Sequence, residues 1–314
     1  MTSLRTFYIA AWLLCLAGWS SCDLQKMQRN EQTTRLKQQG FVPVVYQNGT
    51  TTLAAFAKIT NKPKLLFVHG FGADGVLQWT ETARLLSQSY DIILPDLVYH
   101  GGSETTNTEY SLEFQVTQLH DLMTHLGANS DITLIGSSYG GAVSAMYATK
   151  YPQEVKKLIL NDAVTPFFSK AMAAQAAHDL GAKDVMALLA PTTPEGSDIT
   201  MRVVYYNPPH IPRFLKKTIS KATQHNRENR EKMLLYLMDN EEKYRTYPYQ
   251  LNCPVYLIWG ANDPLIPVST AVQAMAAWHI PSDHLTIIPK TAHVPNLERK
   301  QAFHTALQHF LNHE

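Results

Sequence analysis

Between residues 64 and 162 the chain alternates short apolar runs with stretches whose apolar residues recur at helical spacing. KLLFVHG (64–70), DIILPD (91–96), ITLIG (132–136) and KLILND (157–162) read as buried strands, and the segments VLQWTETARLLSQ, SLEFQVTQLHDLMTHL and GGAVSAMYATKY between them read as helices. Strands with no polar face must be covered on both sides, and helical crossovers make consecutive strands parallel. The alternation therefore predicts an α/β fold, a mostly parallel central sheet with helices on both faces. Ahead of it, FVPVVYQ and TTLAAFAKI flank Asn48-Gly49, a pair that tolerates the positive φ of a tight hairpin.

The rhythm breaks over residues 163–248, which hold helical patterns and no strand. It resumes with PVYLIWG (254–260), VSTAVQAMAAW, HLTIIP (284–289) and NLERKQAFHTALQHFL. A helical insertion late in such a sheet reads as a cap over its C-terminal edge, where open α/β sheets bind ligands. The resulting division is core over 39–162, cap over 163–248 and core again over 249–314. A chain of 314 residues, 45% of them hydrophobic, can fill one large unit of this kind.

What precedes residue 39 is different. No charge occurs between Arg5 and Asp23, and TFYIAAWLLCLAGWS is followed by SSCD. A basic start, an apolar run and small residues at its end describe an export signal over 1–22. Cys22 after Ser20-Ser21 resembles a bacterial lipoprotein processing site, with Trp19 where such sites usually carry Leu. A lipidated Cys22, a cleaved secretory signal and an uncleaved anchor all stay open, and each implies export to the cell envelope or beyond. Membrane association would come through this N-terminus. Residues 23–38 are polar and read as a tether or a first helix. Beyond the leader only Cys253 remains, so no internal disulfide can form. Its place beside an apolar strand predicts a buried core residue. Lys and Arg total 27 against 26 Asp and Glu, a balance that gives no reason to expect a nucleic-acid partner. The densest basic stretch, 216–232, reads as a solvated helical face.

Gly136-Ser137-Ser138-Tyr139-Gly140 matches G-x-S-x-G. Five residues alone are weak, but this match follows a buried strand and opens a helix, which is the setting of a nucleophile elbow. The turn brings neighbouring chains close, so Gly136 and Gly140 are expected to be structural. A serine hydroxyl needs a base to take its proton near neutral pH. Among 13 histidines, His293 follows the last strand in TAHVPNLE and so lies at the same sheet edge as Ser138. His284 begins that strand at the opposite edge, and His120, His125, His304 and His309 lie on helices. A carboxylate must fix the imidazole tautomer. Asp263, in WGANDPLIP after strand 254–260, gives the order Ser…Asp…His; Asp162, ending KLILND, is the rival. An oxyanion needs backbone donors, and Phe71 and Tyr139 are the candidates. His69 and Gly70 of the oxyanion loop are expected to be structural. No metal or organic cofactor is required by this chemistry.

These blocks together resemble the α/β-hydrolase superfamily, on LLFVHGFGADGVLQW, DIILPDLVYHGGSE, ITLIGSSYGGAVSAMYATKYPQEVKKLIL, VYLIWGANDPLIP and TAHVPNLE. The resemblance is greatest to monoacylglycerol-lipase-like hydrolases and related bacterial lipases and esterases. It implies an α/β-hydrolase fold with an inserted helical cap, Ser138 as nucleophile, Asp263 as acid, His293 as base, and Phe71 and Tyr139 as oxyanion donors. The implied substrate is a small-molecule ester or acylglycerol. Apolar cap residues (Phe167, Phe168, Met172, Leu188, Leu189, Val203) suit acyl chains and equally suit ordinary cap packing. A C–C bond hydrolase of the ring-cleavage-product type remains open on the same triad, whereas a non-catalytic binding member of the fold would usually lack one of the three residues. The sequence departs from the family at Val98-Tyr99, where a Pro-Gly pair is frequent. Tyrosine takes positive φ less easily than glycine, so a differently shaped loop is expected there.

Overall fold

The computed structural model describes residues 21–313. The chain opens with helix α1 (Ser21–Gln38) and the hairpin β1 (Val42–Asn48) and β2 (Thr51–Lys58). There follow β3 (Lys64–Val68), α2 (Gly75–Leu86), β4 (Asp91–Pro95), the short β5 (Glu104–Thr105), α3 (Leu112–His125), β6 (Ile132–Ser137), α4 (Tyr139–Lys150) and β7 (Val155–Asn161). Six helices come next: α5 (Lys170–Leu180), α6 (Val185–Leu189), α7 (Pro194–Val204), α8 (Arg213–Ala222), α9 (Arg227–Asp239) and α10 (Glu241–Arg245). The core then resumes with β8 (Val255–Gly260), α11 (Val268–Ala277), β9 (Leu285–Ile288), α12 (Pro295–Glu298) and α13 (Lys300–Asn312).

The strands form one sheet in the order β1-β2-β4-β3-β6-β7-β8-β9, with β5 paired to β2. The hairpin and the β2–β4 pair are antiparallel, while β4, β3, β6, β7, β8 and β9 run parallel. Burial follows from position. Every residue of β4 and β8 is buried, whereas β2, nearer the edge, alternates buried and half-buried residues. Along the central strands successive side chains enter opposite layers, as a period of two requires. Leu66, Leu134, Leu158 and Trp259 face one layer, with α3, α4 and the cap. Phe67, Ile135, Ile159 and Ile258 face the other, with Trp79 of α2 and Phe303 and Phe310 of α13. Nonpolar side chains leave water on both faces, which is the main favourable term holding a sheet of this kind.

Three local outcomes refine the expectations, and one expectation falls outside the described residues. Residues 23–38 are helical, and α1 packs on α2 and on cap helix α8, burying Leu36 completely. Of the leader expected over 1–22, residues 1–20 lie outside the described residues, and Cys22 falls in the first turn of α1. Among the described residues no helix is long and apolar enough to cross a membrane. The C-terminal helical pattern is broken in two at Arg299 (φ −120°, ψ 52°), whose guanidinium turns to donate to the carbonyl of Lys290. Cys253 is half-buried at the entry to β8, not in the core, and burial pushes its thiol up to about 11.

Candidate active site

The six parallel strands deliver the loops that follow them to one edge. Ser138 stands between β6 and α4 with φ 53° and ψ −123°, a left-handed conformation that costs a non-glycine residue about 1–3 kcal/mol. Its backbone is held on both sides: its N–H donates to Asn161 (3.1 Å), and its carbonyl accepts from Gly141 (2.9 Å) and Val164 (3.0 Å). The flanking glycines are dictated by close approach. A Cβ at Gly140 would collide with the carbonyl oxygens of His69 and Val68, and one at Gly136 with Ser144 and the carbonyl of Gly140. The neighbouring Ser137 is buried and accepts from Asn161 Nδ2 (3.0 Å), pointing away from the edge chemistry.

His293 lies in the loop after β9, its N–H donating to the carbonyl of Val203 at the end of cap helix α7 (3.1 Å). Nε2 is 2.9 Å from Ser138 Oγ, and Nδ1 is 2.7 Å from Asp263 Oδ2. A carboxylate can only accept, so Nδ1 carries the proton and Nε2 presents its lone pair to the serine hydroxyl. The other carboxylate oxygen of Asp263 accepts the N–H groups of Leu265 (2.8 Å) and Ile266 (3.0 Å), and the side chain is fully buried. Asp162, the alternative acid, is also fully buried. Its Oδ1 accepts the Gly260 N–H (2.8 Å), and it makes no hydrogen bond to the imidazole.

The oxyanion loop follows β3. Gly70 donates to Gln78 Oε1 (2.8 Å), and a Cβ on it would press on Ser138 Cβ at 3.0 Å. Among the described residues no acceptor takes the N–H of Phe71, and the N–H of Tyr139, in the first turn of α4, has no intrahelical acceptor. Both are thus available beside the nucleophile. His69 is completely buried: Nδ1 donates to the carbonyl of Gly70 (2.8 Å) and Nε2 accepts from Leu97 N–H (2.9 Å). Burial pushes it down to about 4, so it is a neutral strut between the β3 and β4 loops.

Tyr99 adopts φ 70°, the backbone expected of a glycine there. The departure at Val98-Tyr99 therefore leaves the loop in a left-handed turn. Burial of the ring, its contact with Tyr110, and Oη within 2.9 and 3.1 Å of the carbonyls of Asn107 and Glu109 hold the conformation.

Two cavities border this edge. One of about 20 Å³ lies between core and cap, lined by Leu112, Ala142, Val164, Phe168, Leu237 and Met238 among others. The other, about 250 Å³, mixes Gly72 and Ala73 of the oxyanion loop, Leu77 and Tyr99 with the polar side chains of Arg29, Asp74, His100 and Arg230. Arg230, on cap helix α9, is buried, pairs with no carboxylate among the described residues and lies 6.0 Å from the centre of the Phe71 ring. Burial, then the charge of Arg227, pushes it down to about 10. Of the apolar cap residues singled out from sequence, Phe168 lines the smaller cavity, while Leu188 and Val203 are buried in the packed cap.

The structure brings Ser138, Asp263, His293, Phe71 and Tyr139 to one point, with Gly70, Gly136, Gly140 and His69 as their immediate support. Arg29, Arg230 and Glu298 were not foreseen, and Val203 was named for its side chain, not for the carbonyl that holds His293. Glu298, within the quoted TAHVPNLE, accepts Ala292 N–H (2.8 Å) and Tyr206 N–H (2.9 Å), tying the His293 loop to the cap. An acidic residue five positions after the histidine was the only signal available.

Comparison with known proteins places the chain in a family. A model of the alpha/beta hydrolase fold family matches residues 63–300. Lipase 3 of Moraxella sp. (strain TA144) is 31% identical over 242 residues, covering 76% of this chain and 74% of that protein. Monoacylglycerol lipase ABHD6 of Homo sapiens is 26% identical over 247 residues, covering 76% and 72%. The crystal structure of a membrane phospholipase A superposes with a TM-score of 0.78 at 23% identity over 98% of both chains, a likeness of fold alone.

Proposed function

The chain belongs to the α/β-hydrolase fold family and is a carboxylic ester hydrolase, and we propose that it works through a Ser138–His293–Asp263 triad and an acyl-enzyme on acylglycerols or short-to-medium acyl esters. The observation that carries this reading is the unbroken relay from Ser138 Oγ to His293 Nε2 (2.9 Å) and from Nδ1 to Asp263 (2.7 Å) at a strained elbow. Ser138 Oγ attacks the ester carbonyl and its proton passes to Nε2. The Phe71 and Tyr139 N–H groups hold the oxyanion. The ester C–O bond then breaks, with the alcohol taking the proton from His293. Water next adds to the acyl carbon, giving its proton to Nε2. The bond to Oγ breaks and the serine regains its proton as the acid departs.

The two cavities support the substrate class. The larger one offers Arg230 as donor and the unpartnered Nε2 of His100 as acceptor, whose Nδ1 already donates to Val98. Such a lining suits the hydroxyls of a glycerol. The smaller one, lined by Leu112, Val164, Phe168 and Leu237, suits apolar substrate atoms, although at about 20 Å³ it has room for little more than one water. A fluorophosphonate should label the protein, and labelling that survives Ser138→Ala sinks the nucleophile assignment. An ester panel from acetyl to long-chain acyl, with monoacylglycerol included, measures the substrate class; no turnover across it would favour the C–C hydrolase instead. Export to the cell envelope is part of the same proposal, and mass spectrometry of the mature N-terminus distinguishes a lipidated Cys22 from simple cleavage or an intact leader.

A further inference from the structure

Asp162 is not needed for the relay described above, yet it is one of the most completely enclosed ionisable groups in the protein. One carboxylate oxygen of Asp162, one of Asp263 and a ring nitrogen of His293 lie within 4.8 Å of one another. These are also the titratable groups that face Asp162: Asp263 from the loop after β8 and His293 from the loop after β9. No arginine or lysine joins them among the described residues. Two carboxyls this close, away from water and without a fixed cation, do not both ionise. The hydrogen-bond donors decide which one stays charged. Asp263 accepts from Leu265, Ile266 and His293, all of which favour the anion. Asp162 accepts one N–H, from Gly260, and its Oδ2 meets no N–H or O–H donor. A proton on that oxygen resolves the otherwise unsatisfied atom, because the neighbouring Asp263 can accept it.

We propose that Asp162 is a positioning residue for the triad, holding a proton at neutral pH and donating it as a hydrogen bond to the Asp263 carboxylate. The proposal rests on the triad reading and extends the relay to Asp162–Asp263–His293–Ser138. Burial first, then the charge of Asp263, pushes the Asp162 carboxyl well above its ordinary range. The added donor fixes the Asp263 rotamer, so that Oδ2 faces Nδ1. It also draws charge from Asp263, so the imidazolium formed at His293 keeps its Nδ1 proton and releases its Nε2 proton more readily to the leaving alcohol.

The test compares Asp162→Asn, which keeps a donor without a charge, with Asp162→Leu, which keeps bulk without a donor. Asp263→Asn serves as the separate check on the triad. The asparagine variant should retain kcat/KM within roughly threefold, with its acid limb in place, because its amide N–H replaces the carboxyl O–H. The leucine variant should lose roughly tenfold in kcat with KM little changed, about the value of one hydrogen bond to a charged group. Its acid limb should move to higher pH, because an Asp263 without that donor holds the imidazolium more tightly.

Thermal unfolding supplies a readout independent of activity. A carboxyl raised in the folded state stabilises below its unfolded value, about 4, and that stability is lost as pH rises towards the folded value. Asp162→Asn should therefore gain Tm over the unsubstituted protein increasingly from pH 4 to pH 8. An Asp162→Asn variant as inactive as Asp263→Asn would overturn the proposal, since the charge would then be what matters. A leucine variant matching asparagine in rate and pH profile would reduce Asp162 to packing and overturn it equally. So would a Tm difference that is flat with pH, and this arm decides even if the leucine variant fails to fold. Full activity in Asp263→Asn would instead remove the triad reading, leaving the Tm comparison to judge the buried proton.

Discussion

Two pairs of buried carboxyls stand at the same edge of the sheet, on opposite sides of Ser138, and the chain neutralises them differently. Asp74, before α2, and Asp96, after β4, are bridged by the guanidinium of Arg29 from α1. Asp74 caps α2 through Leu77 N–H, and Asp96 accepts from Gly75 and Gly102 N–H groups. Asp162 and Asp263, after β7 and β8, have no such bridge and face an imidazole instead. An arginine keeps its proton at every working pH, so it closes a charge cluster permanently. A histidine takes and returns a proton near neutrality. The first pair thus fixes the N-terminal helix against the oxyanion loop, and the second pair is left able to do chemistry.

Breaking the second pair should have the largest effect. Asp263→Asn keeps the shape of the site but offers His293 a donor in place of an acceptor, so the imidazole turns to the wrong tautomer. Steady-state kinetics should show kcat lower by about 10,000-fold, the scale of the corresponding change in a serine hydrolase triad. A loss below tenfold would move the acid role to Asp162.

Breaking the first pair should act on stability. Arg29→Leu leaves Asp74 and Asp96 facing each other, both already raised first of all by burial. Severing a buried ion pair costs about 3–5 kcal/mol, and with the Arg29 side chain 30% exposed the lower end applies. At roughly 2–4 °C per kcal/mol for a large domain, Tm should fall by several degrees. The sign with pH follows from the raised carboxyls. Their protonated forms are tolerated below the unfolded value of about 4, and stability is lost as pH rises through the folded one. The Tm deficit should therefore be small at pH 4 and full at pH 7.5. A deficit that shrinks towards neutrality would show that the arginine is not what holds this pair.

The contrast also explains what could be read from the sequence. Ser138, Asp263 and His293 were legible because each follows a strand that announces itself by an apolar run, and the parallel sheet carries all such loops to one edge. The six helices between β7 and β8 were legible as a stretch with helical spacing and no strand. Arg29 was not, because its partners are 45 and 67 residues away and polar helices give no sign of what they touch. Asp162 was legible only as a rival to Asp263, since spacing places both carboxyls but does not say which is held by three donors. Tyr99 holds a positive φ that tyrosine takes less easily than glycine, because burial of its ring outweighs a backbone preference of about 1–2 kcal/mol.

Glu298 is a third way of holding a carboxylate, by backbone donors at a half-buried position, and it should give the smallest effect of the three. Its Oε2 takes one N–H from the His293 loop, and its Oε1 takes two from the cap, Tyr206 and the more distant Asn207. Glu298→Gln replaces one acceptor by an NH2 group, so the bonding to one side is lost while that to the other survives. A bond to a charged, partly solvated acceptor is worth about 1–1.5 kcal/mol. The expected result is a slower fluorophosphonate reaction at Ser138, by a factor of several, with Tm nearly unchanged. Because the bond to Val203 still holds the His293 backbone, the imidazole should stay in register and the pH profile should not move. A shifted acid limb in Glu298→Gln would mean that cap position tunes the relay itself, and that the division between a structural and a chemical carboxylate at this edge is less sharp than the two aspartate pairs suggest.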